Sequence, residues 1–445
     1  MGLLFLMVNG LITRWRIVSF LAVVFLFRLA FGLLNKFWEA DEIQVFLIGL
    51  KFFTTGAWPY FGPDVTHTHT QIPGALQGLL VGGPMFLVPV PEAPFVLVNL
   101  LSLASLTLLA WYVLVQVPTL PRWFVWGWLF TAPWTLHYGA HLLNPDYVMT
   151  GAILFWVGLW EVTPGMRRDV IPRWVAGAMM GFGLLWIVQL HLSWPVLLPF
   201  VGYAAWRIFR ESPGDGTRWA AGFLGGAGLI GLLLLPTLLV YGLTRGTGGT
   251  ESNLVYSGWN PLVLLGTIVA RFLSFASYEL AYWLGGGTAA RVARVMRHPW
   301  VIPFAAFLFI LGYLQPIVLA VEFFRSKPQP SWPAVRLLVA GLMLVLLVAF
   351  SFSVTGPHSH TFYLAMPVAM LYSMYCWAPW LERPAWRRFS AVVLISGVIV
   401  SASFMADFGP SGSLYHDRGR VIRAMHDGDY HIVGERRSTE WGCCY

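Results

Sequence analysis

Apolar residues fall in long blocks along most of the chain, separated by short polar connectors. A helix of ~17–25 apolar residues is long enough to cross a bilayer. Blocks near that length cover 17–34, 74–90, 95–117, 123–137, 147–161, 174–190, 195–209, 219–241, 299–321, 335–353, 361–380 and 389–405. The pattern predicts an all-α polytopic membrane protein. Residues 17–34 follow Arg14 and Arg16 without a small-residue cleavage motif, so they read as an uncleaved first span.

The connectors set the orientation. Segments 162–173, 207–218, 322–336 and 381–388 each hold three Lys or Arg, whereas 138–146, 191–194 and 354–360 hold none. Short cytoplasmic loops collect positive charge, which places the first group inside and the second outside. Arg14 and Arg16 place the N-terminus inside. All of this agrees only if 74–90 dips into the outer leaflet without crossing. Gly74, Gly78, Gly82, Gly83 and Pro84 in that block suit a helix that does not run straight through. About eleven crossings result, within a transmembrane domain over 1–405. Loop helices face outward in the long segments 35–94 and 242–298. Residues 406–445 are expected to form a small outward soluble appendage.

Composition narrows the class. Apolar residues make up 57% and charged residues 11%. So few charges cannot cover the surface of a soluble globule, and the same figures exclude a disordered chain. The net charge of +8 needs no nucleic-acid partner, because basic connectors account for it. Cys376, Cys443 and Cys444 carry no recognisable motif. All eleven His, and fourteen of the twenty acids, fall on or near the outward side.

Candidate chemistry concentrates there. The first outward loop opens with Glu39, Asp41 and Glu42, then runs into an amphipathic stretch, Ile43–Phe53. A partly shielded carboxylate at the bilayer edge suits general-base work. The competing reading makes Asp41 the cap of a helix starting at Glu42. Asp146 follows Asn144-Pro145, which read as the cap and first residue of the next span. His137 and His141 would share its face if the helix continued, giving either a weak candidate site for a divalent metal or a hydrogen-bonded patch. His67 and His69, His191, and His358 and His360 are candidates for hydrogen bonds to sugar hydroxyls or phosphate. Arg271 sits in an apolar stretch with no acid close by in sequence, and its planar fork suits phosphate.

With these residues in order, the chain resembles the C-type membrane glycosyltransferases, such as the dolichyl-phosphate-mannose–protein mannosyltransferases and the bacterial aminoarabinose transferases. The resemblance rests on several short motifs. These are Asp41-Glu42 after the first span, the turn Gly56-Ala57-Trp58-Pro59, the segment His69 to Pro73 entering a dipping helix, and Asp146 opening a later span. It covers roughly residues 10–300. The family's His-Pro-Pro is here His69-Thr70-Gln71-Ile72-Pro73. The resemblance implies a sugar donor on a polyprenyl phosphate and an acceptor glycan, lipid or protein on the non-cytoplasmic face. It makes Asp41 the base, with Glu42 and Asp146 as further catalytic acids. Arg271 and Tyr363 are the candidates for holding the leaving phosphate, and His69, His191, His358 and His360 for contacting substrate. No organic cofactor is implied.

Two other classes compete. A transporter or flippase of a lipid-linked sugar should show repeated halves and ionisable residues at mid-membrane. The sequence offers no repeat, and Arg28 is nearly alone at depth. A glycan polymerase or ligase using lipid-pyrophosphate donors would also place Arg and His outward.

Overall fold

The computed structural model describes residues 2–34, 40–65, 70–242, 256–279, 292–293, 296–353, 355–408, 414–428 and 430. Side chains are described for all of these except 2–14, 16, 40, 41, 64, 65, 70, 407, 408 and 416.

The described residues form a bundle of helices with one small hairpin. In order come α1 (Gly2–Leu34), α2 (Ala40–Thr55), β1 (Phe61–Val65), β2 (Thr70–Pro73), α3 (Leu76–Leu87), α4 (Ala93–Gln116), α5 (Arg122–Thr131), α6 (Pro133–Ala140) and α7 (Asn144–Val162). There follow α8 (Arg173–Val188), α9 (Leu198–Glu211), α10 (Pro213–Gly231), α11 (Leu235–Tyr241) and α12 (Pro261–Ser274). The last helices are α13 (Ile302–Phe323), α14 (Trp332–Ser351), α15 (Met366–Leu381), α16 (Pro384–Phe408) and α17 (Leu414–Asp427).

Among the described residues, five helices are long and apolar enough to cross a membrane: Ile17–Leu34, Ala93–Gln116, Pro299–Phe323, Trp332–Ser351 and Pro384–Ala406. Counting two bent pairs as single spans gives seven; α6 with α7 bends by 111° and α10 with α11 by 64°. α3 has 12 residues, about 18 Å at ~1.5 Å per residue, short of the ~30 Å hydrocarbon layer. The expected block at 123–137 is not one helix. It breaks at Ala132, whose extended backbone (φ −58°, ψ 139°) is what a following proline, Pro133, favours.

The bundle has two chemically distinct ends. At one, Phe31 near the end of α1 meets the His141 ring with centroids 5.7 Å apart, and Trp186 near the end of α8 donates to Tyr147 O. Asp146 lies here, and this is called the acid end. At the other, Gln116 closing α4 donates to Met166 O, and Tyr375 pairs with Ser331 before α14. Arg167, Arg173, Arg207 and Arg325 lie at this basic end, in ion pairs with Asp169, Glu211 and Glu322.

α8 and α10 touch backbone to backbone. A Cβ at Gly177 would stand 2.1 Å from Trp219 O, and one at Gly181 2.0 Å from Phe223 O. Reciprocally, a Cβ at Gly222 would stand 1.9 Å from Trp174 O, and one at Gly226 2.1 Å from Ala178 O. Each helix thus offers glycines four residues apart to its partner, the small-residue seam that lets membrane helices approach closely. Gly181→Leu is therefore expected to cost about 3 kcal/mol or more by forcing the helices apart. A lowered thermal midpoint of the purified protein checks this; an unchanged midpoint contradicts the seam.

Between α2 and α3 the chain adds an antiparallel hairpin, pairing Phe61 with Pro73 and Asp64 with Gln71. The hydropathy pattern does not predict this hairpin. α2 also differs from the expectation of an amphipathic stretch: Glu42 to Leu50 are all buried. It stops at Gly56 (φ +69°), whose N–H returns to Phe52 O, the left-handed terminator that glycine adopts without strain.

Of the tail, residues 414–428 and 430 are described beyond the end of α16. α17 packs on α1 and α2 and buries Leu414, Val421 and Ala424. Arg418 Nε pairs with Glu92 Oε1 at 2.5 Å, which raises the Arg418 pKa, and Lys51 of α2 lies over the Tyr430 ring.

Candidate functional site

The site is built at a break in a helix. α6 ends at Ala140 and α7 begins at Asn144, leaving 141–143 to turn through the bend. Such a break exposes backbone N–H groups that lipid cannot satisfy. Two carboxylates from distant segments accept them. Asp146 takes the N–H of His141 and of Leu143, both at 3.1 Å. Glu42 takes the N–H of Leu142 at 2.8 Å, and His141 Nδ1 lies 3.6 Å from the same Glu42 oxygen. Both acids are buried.

Arg28 serves the other side of the break. It is fully buried and donates to Phe130 O (3.0 Å), Thr135 O (2.8 Å) and Gly139 O (3.0 Å), the carbonyls freed where α5 and α6 end. Asn99 donates to Ala140 O beside it. Gly32 and Gly139 make room: a Cβ at Gly32 would lie 2.0 Å from Ala140 O, and one at Gly139 2.6 Å from an Arg28 nitrogen. A buried charge is tolerated when it is hydrogen-bonded, and both terminal nitrogens of Arg28 are.

Three imidazoles gather at the same end. His358 and His360 flank the start of a 3-10 turn over Ser359–Ala365, and their rings lie parallel with centroids 5.6 Å apart. His191 pairs through Nδ1 with Ser193 Oγ at 2.8 Å. Burial first, and then the nearby His360, push the His191 imidazole down to about 3. His191 is thus neutral across the physiological range and can both donate and accept a hydrogen bond. The unfolded chain takes up this proton near pH 6.5 while the folded chain does not. Stability from this group is therefore complete above pH 6.5 and is lost as pH falls toward 3. His191→Gln is expected to flatten the decline of the thermal midpoint over that window; an unaltered pH profile contradicts it.

The residues singled out from the sequence divide clearly once placed. Glu42, Asp146, His137 and His141 come together, with the His137 and His141 rings 6.1 Å apart. They do so without the expected continuous helix, because the backbone leaves helical geometry at Tyr138 (φ −92°, ψ 54°). Among the described residues, no three His, Cys, Asp or Glu side chains are grouped to hold a metal ion. Leu143, not Asn144, precedes the first turn of α7, so Asp146 is its third residue and closes half of a capping box. α2 starts at Ala40, which places Asp41 inside its first turn rather than before it. The Asp41 side chain lies outside the described residues, as do His67 and His69.

Tyr363 is buried and donates to Trp134 O at 2.9 Å, which commits its hydroxyl to the protein. Arg271 is not without an acid: Glu279 lies 3.6 Å from it. Two residues of the site escape the motif reading. Arg28 carried a signal, a guanidinium inside an apolar block. Tyr147 carried none; its buried hydroxyl, beside both acids, has no hydrogen-bond partner among the described residues.

No family model, no curated protein and no solved structure matches the chain.

Proposed function

We propose that the protein transfers a sugar from a polyprenyl-phosphate donor to an acceptor hydroxyl at the acid end of the bundle, which faces the non-cytoplasmic side. The observation that carries this reading is the meeting of the first-loop acid helix with the second acid. Glu42, next to Asp41, and Asp146 close the same turn. Two of the motifs that carry the resemblance, those of Glu42 and Asp146, thus meet at one turn.

The orientation is supported by charge. Arg-rich connectors gather at the basic end, where the positive-inside preference puts the cytoplasm. The count of eleven crossings is supported by the chain's alternation between the two ends, with α2, α3 and α12 left as non-crossing helices. The shorter or broken elements α5 with α6, α8, α9 and α15 are included in that count.

In the reaction, the Asp41 carboxylate takes the proton of the acceptor hydroxyl. The freed oxygen attacks the anomeric carbon as the bond to the phosphate oxygen breaks, and polyprenyl phosphate leaves. One displacement inverts the anomeric carbon. Glu42 and Asp146 position Asp41 and the 141–143 turn. His191, His358 and His360 supply hydrogen bonds to the phosphate as its charge develops. Purified protein in liposomes, given a panel of polyprenyl-phosphate sugars and cell-envelope acceptors, should yield product of inverted anomeric configuration. Donor consumed with retention, or merely moved between leaflets, contradicts the reading.

A flippase is the second reading. One observation favours it: the ion pair Arg271–Glu279 lies beside the middle of a candidate span, since Glu279 Cα would stand 2.9 Å from a Cβ at Gly312.

A further inference from the structure

α12 starts at the acid end. Just before it, Ser257 N–H donates to Ser351 O at the end of α14, at 2.9 Å, and Trp259 lies against Gly356. The helix then runs for 14 residues, about 21 Å at ~1.5 Å per residue. That length reaches the middle of a ~30 Å hydrocarbon layer but does not cross it.

The chain after α12 stops there. Phe275, Ala276, Ser277 and Tyr278 are fully buried. Tyr278 is wedged between the middles of two candidate spans. A Cβ at Gly312 of α13 would stand 2.8 Å from Tyr278 O, and one at Gly397 of α16 2.4 Å from Tyr278 Cε1. Tyr278 N–H donates to Gln315 Oε1, and its hydroxyl pairs with Thr131 Oγ1 at the end of α5. The span that follows, Pro299–Phe323, descends to a turn at the basic end, where Trp332 donates to Arg325 O. Pro299 is thus back at the acid end.

We propose that the chain enters the bundle at the acid end over residues 256–279 and is back at that end by residue 296, so that 256–279 is the inward limb of a re-entrant segment, and that the Arg271–Glu279 ion pair is the latch holding its tip at mid-depth. Charge at that depth is costly unless paired. The pair is 3.6 Å apart, and the second Glu279 oxygen is buried with no hydrogen-bond partner among the described residues. Removing either partner therefore strands the other. The latch also fixes Phe275 beneath the site, where it packs on Trp134, Phe362 and Tyr363. None of this depends on the transferase reading.

The test uses the full chain in native membranes with Cys376, Cys443 and Cys444 replaced by Ser. Tyr256→Cys and Met296→Cys should react with a membrane-impermeant maleimide from the same side, opposite to Arg218→Cys, while Ser277→Cys, at a buried position outside the ion pair, reacts from neither. Labelling of positions 256 and 296 from opposite sides, or of 277 from the Arg218 side, overturns the re-entrant path. For the latch, Arg271→Met and Glu279→Leu should each lower the thermal midpoint by about 3 °C or more. The two substitutions together should recover most of that loss, because no charge is then left unpaired. Single variants as stable as the parent, or losses that simply add, overturn the latch.

Discussion

Asp41→Asn is expected to abolish sugar transfer while leaving the lipid-linked donor bound. The substitution keeps the side chain's shape and hydrogen-bonding capacity but removes the basic oxygen. General-base catalysis contributes ~10²–10⁴-fold, so the turnover rate should fall by at least that range. Donor affinity should stay near the parental value, because the phosphate contacts are assigned to the imidazoles of His191, His358 and His360. The comparison to make is transfer rate against donor binding in the same preparation. Glu42→Gln provides the contrast. Its carboxylate is already engaged by the Leu142 N–H, so an amide oxygen can replace that contact and part of the activity should remain. A flippase without a catalytic base would tolerate Asp41→Asn.

Asp146→Ala is the second large effect, and it falls on stability. The carboxylate accepts two backbone N–H groups in a buried turn. Truncation leaves both N–H groups unsatisfied. Each buried donor left without a partner costs ~1–3 kcal/mol. The expected readout is a large drop in thermal midpoint and poor recovery of folded protein. Asp146→Asn retains one acceptor oxygen, so its loss should be smaller. Equal stability of Asp146→Ala and the parent would mean that the 141–143 turn is held by something other than these contacts.

Much of the architecture was legible because the bilayer imposes it. Long apolar blocks must be helical where lipid surrounds them, and basic connectors mark one end. Block 74–90 is expected not to cross, and the helix it holds, α3, has 12 residues. The acids at 41, 42 and 146 stood out because carboxylates at a membrane edge need a reason. What escaped is what depends on partners distant in sequence. The two-stranded hairpin at Phe61–Val65 and Thr70–Pro73 is short and sits among turn residues. The break at Ala132 hides in a block whose hydropathy is continuous. Glu279 is eight positions after Arg271, too far for a helical pairing rule to connect them, yet the chain's turn at Phe275 brings them together. Arg418 of α17 meets Glu92, more than three hundred residues earlier in the chain.

The glycine seam shows a different limit. Gly177, Gly181, Gly222 and Gly226 are ordinary in a chain with 45 glycines. Their spacing becomes informative only once α8 and α10 are known to be neighbours.

The central claim is that a lipid-phosphate headgroup binds at the acid end, within reach of Asp41. A structure of the protein with a non-hydrolysable polyprenyl-phosphate-sugar analogue measures this directly. The account predicts the phosphate among His191, His358 and His360, with the anomeric carbon toward the first turn of α2. A headgroup at the basic end, or on the lipid-facing surface away from Glu42 and Asp146, would contradict it.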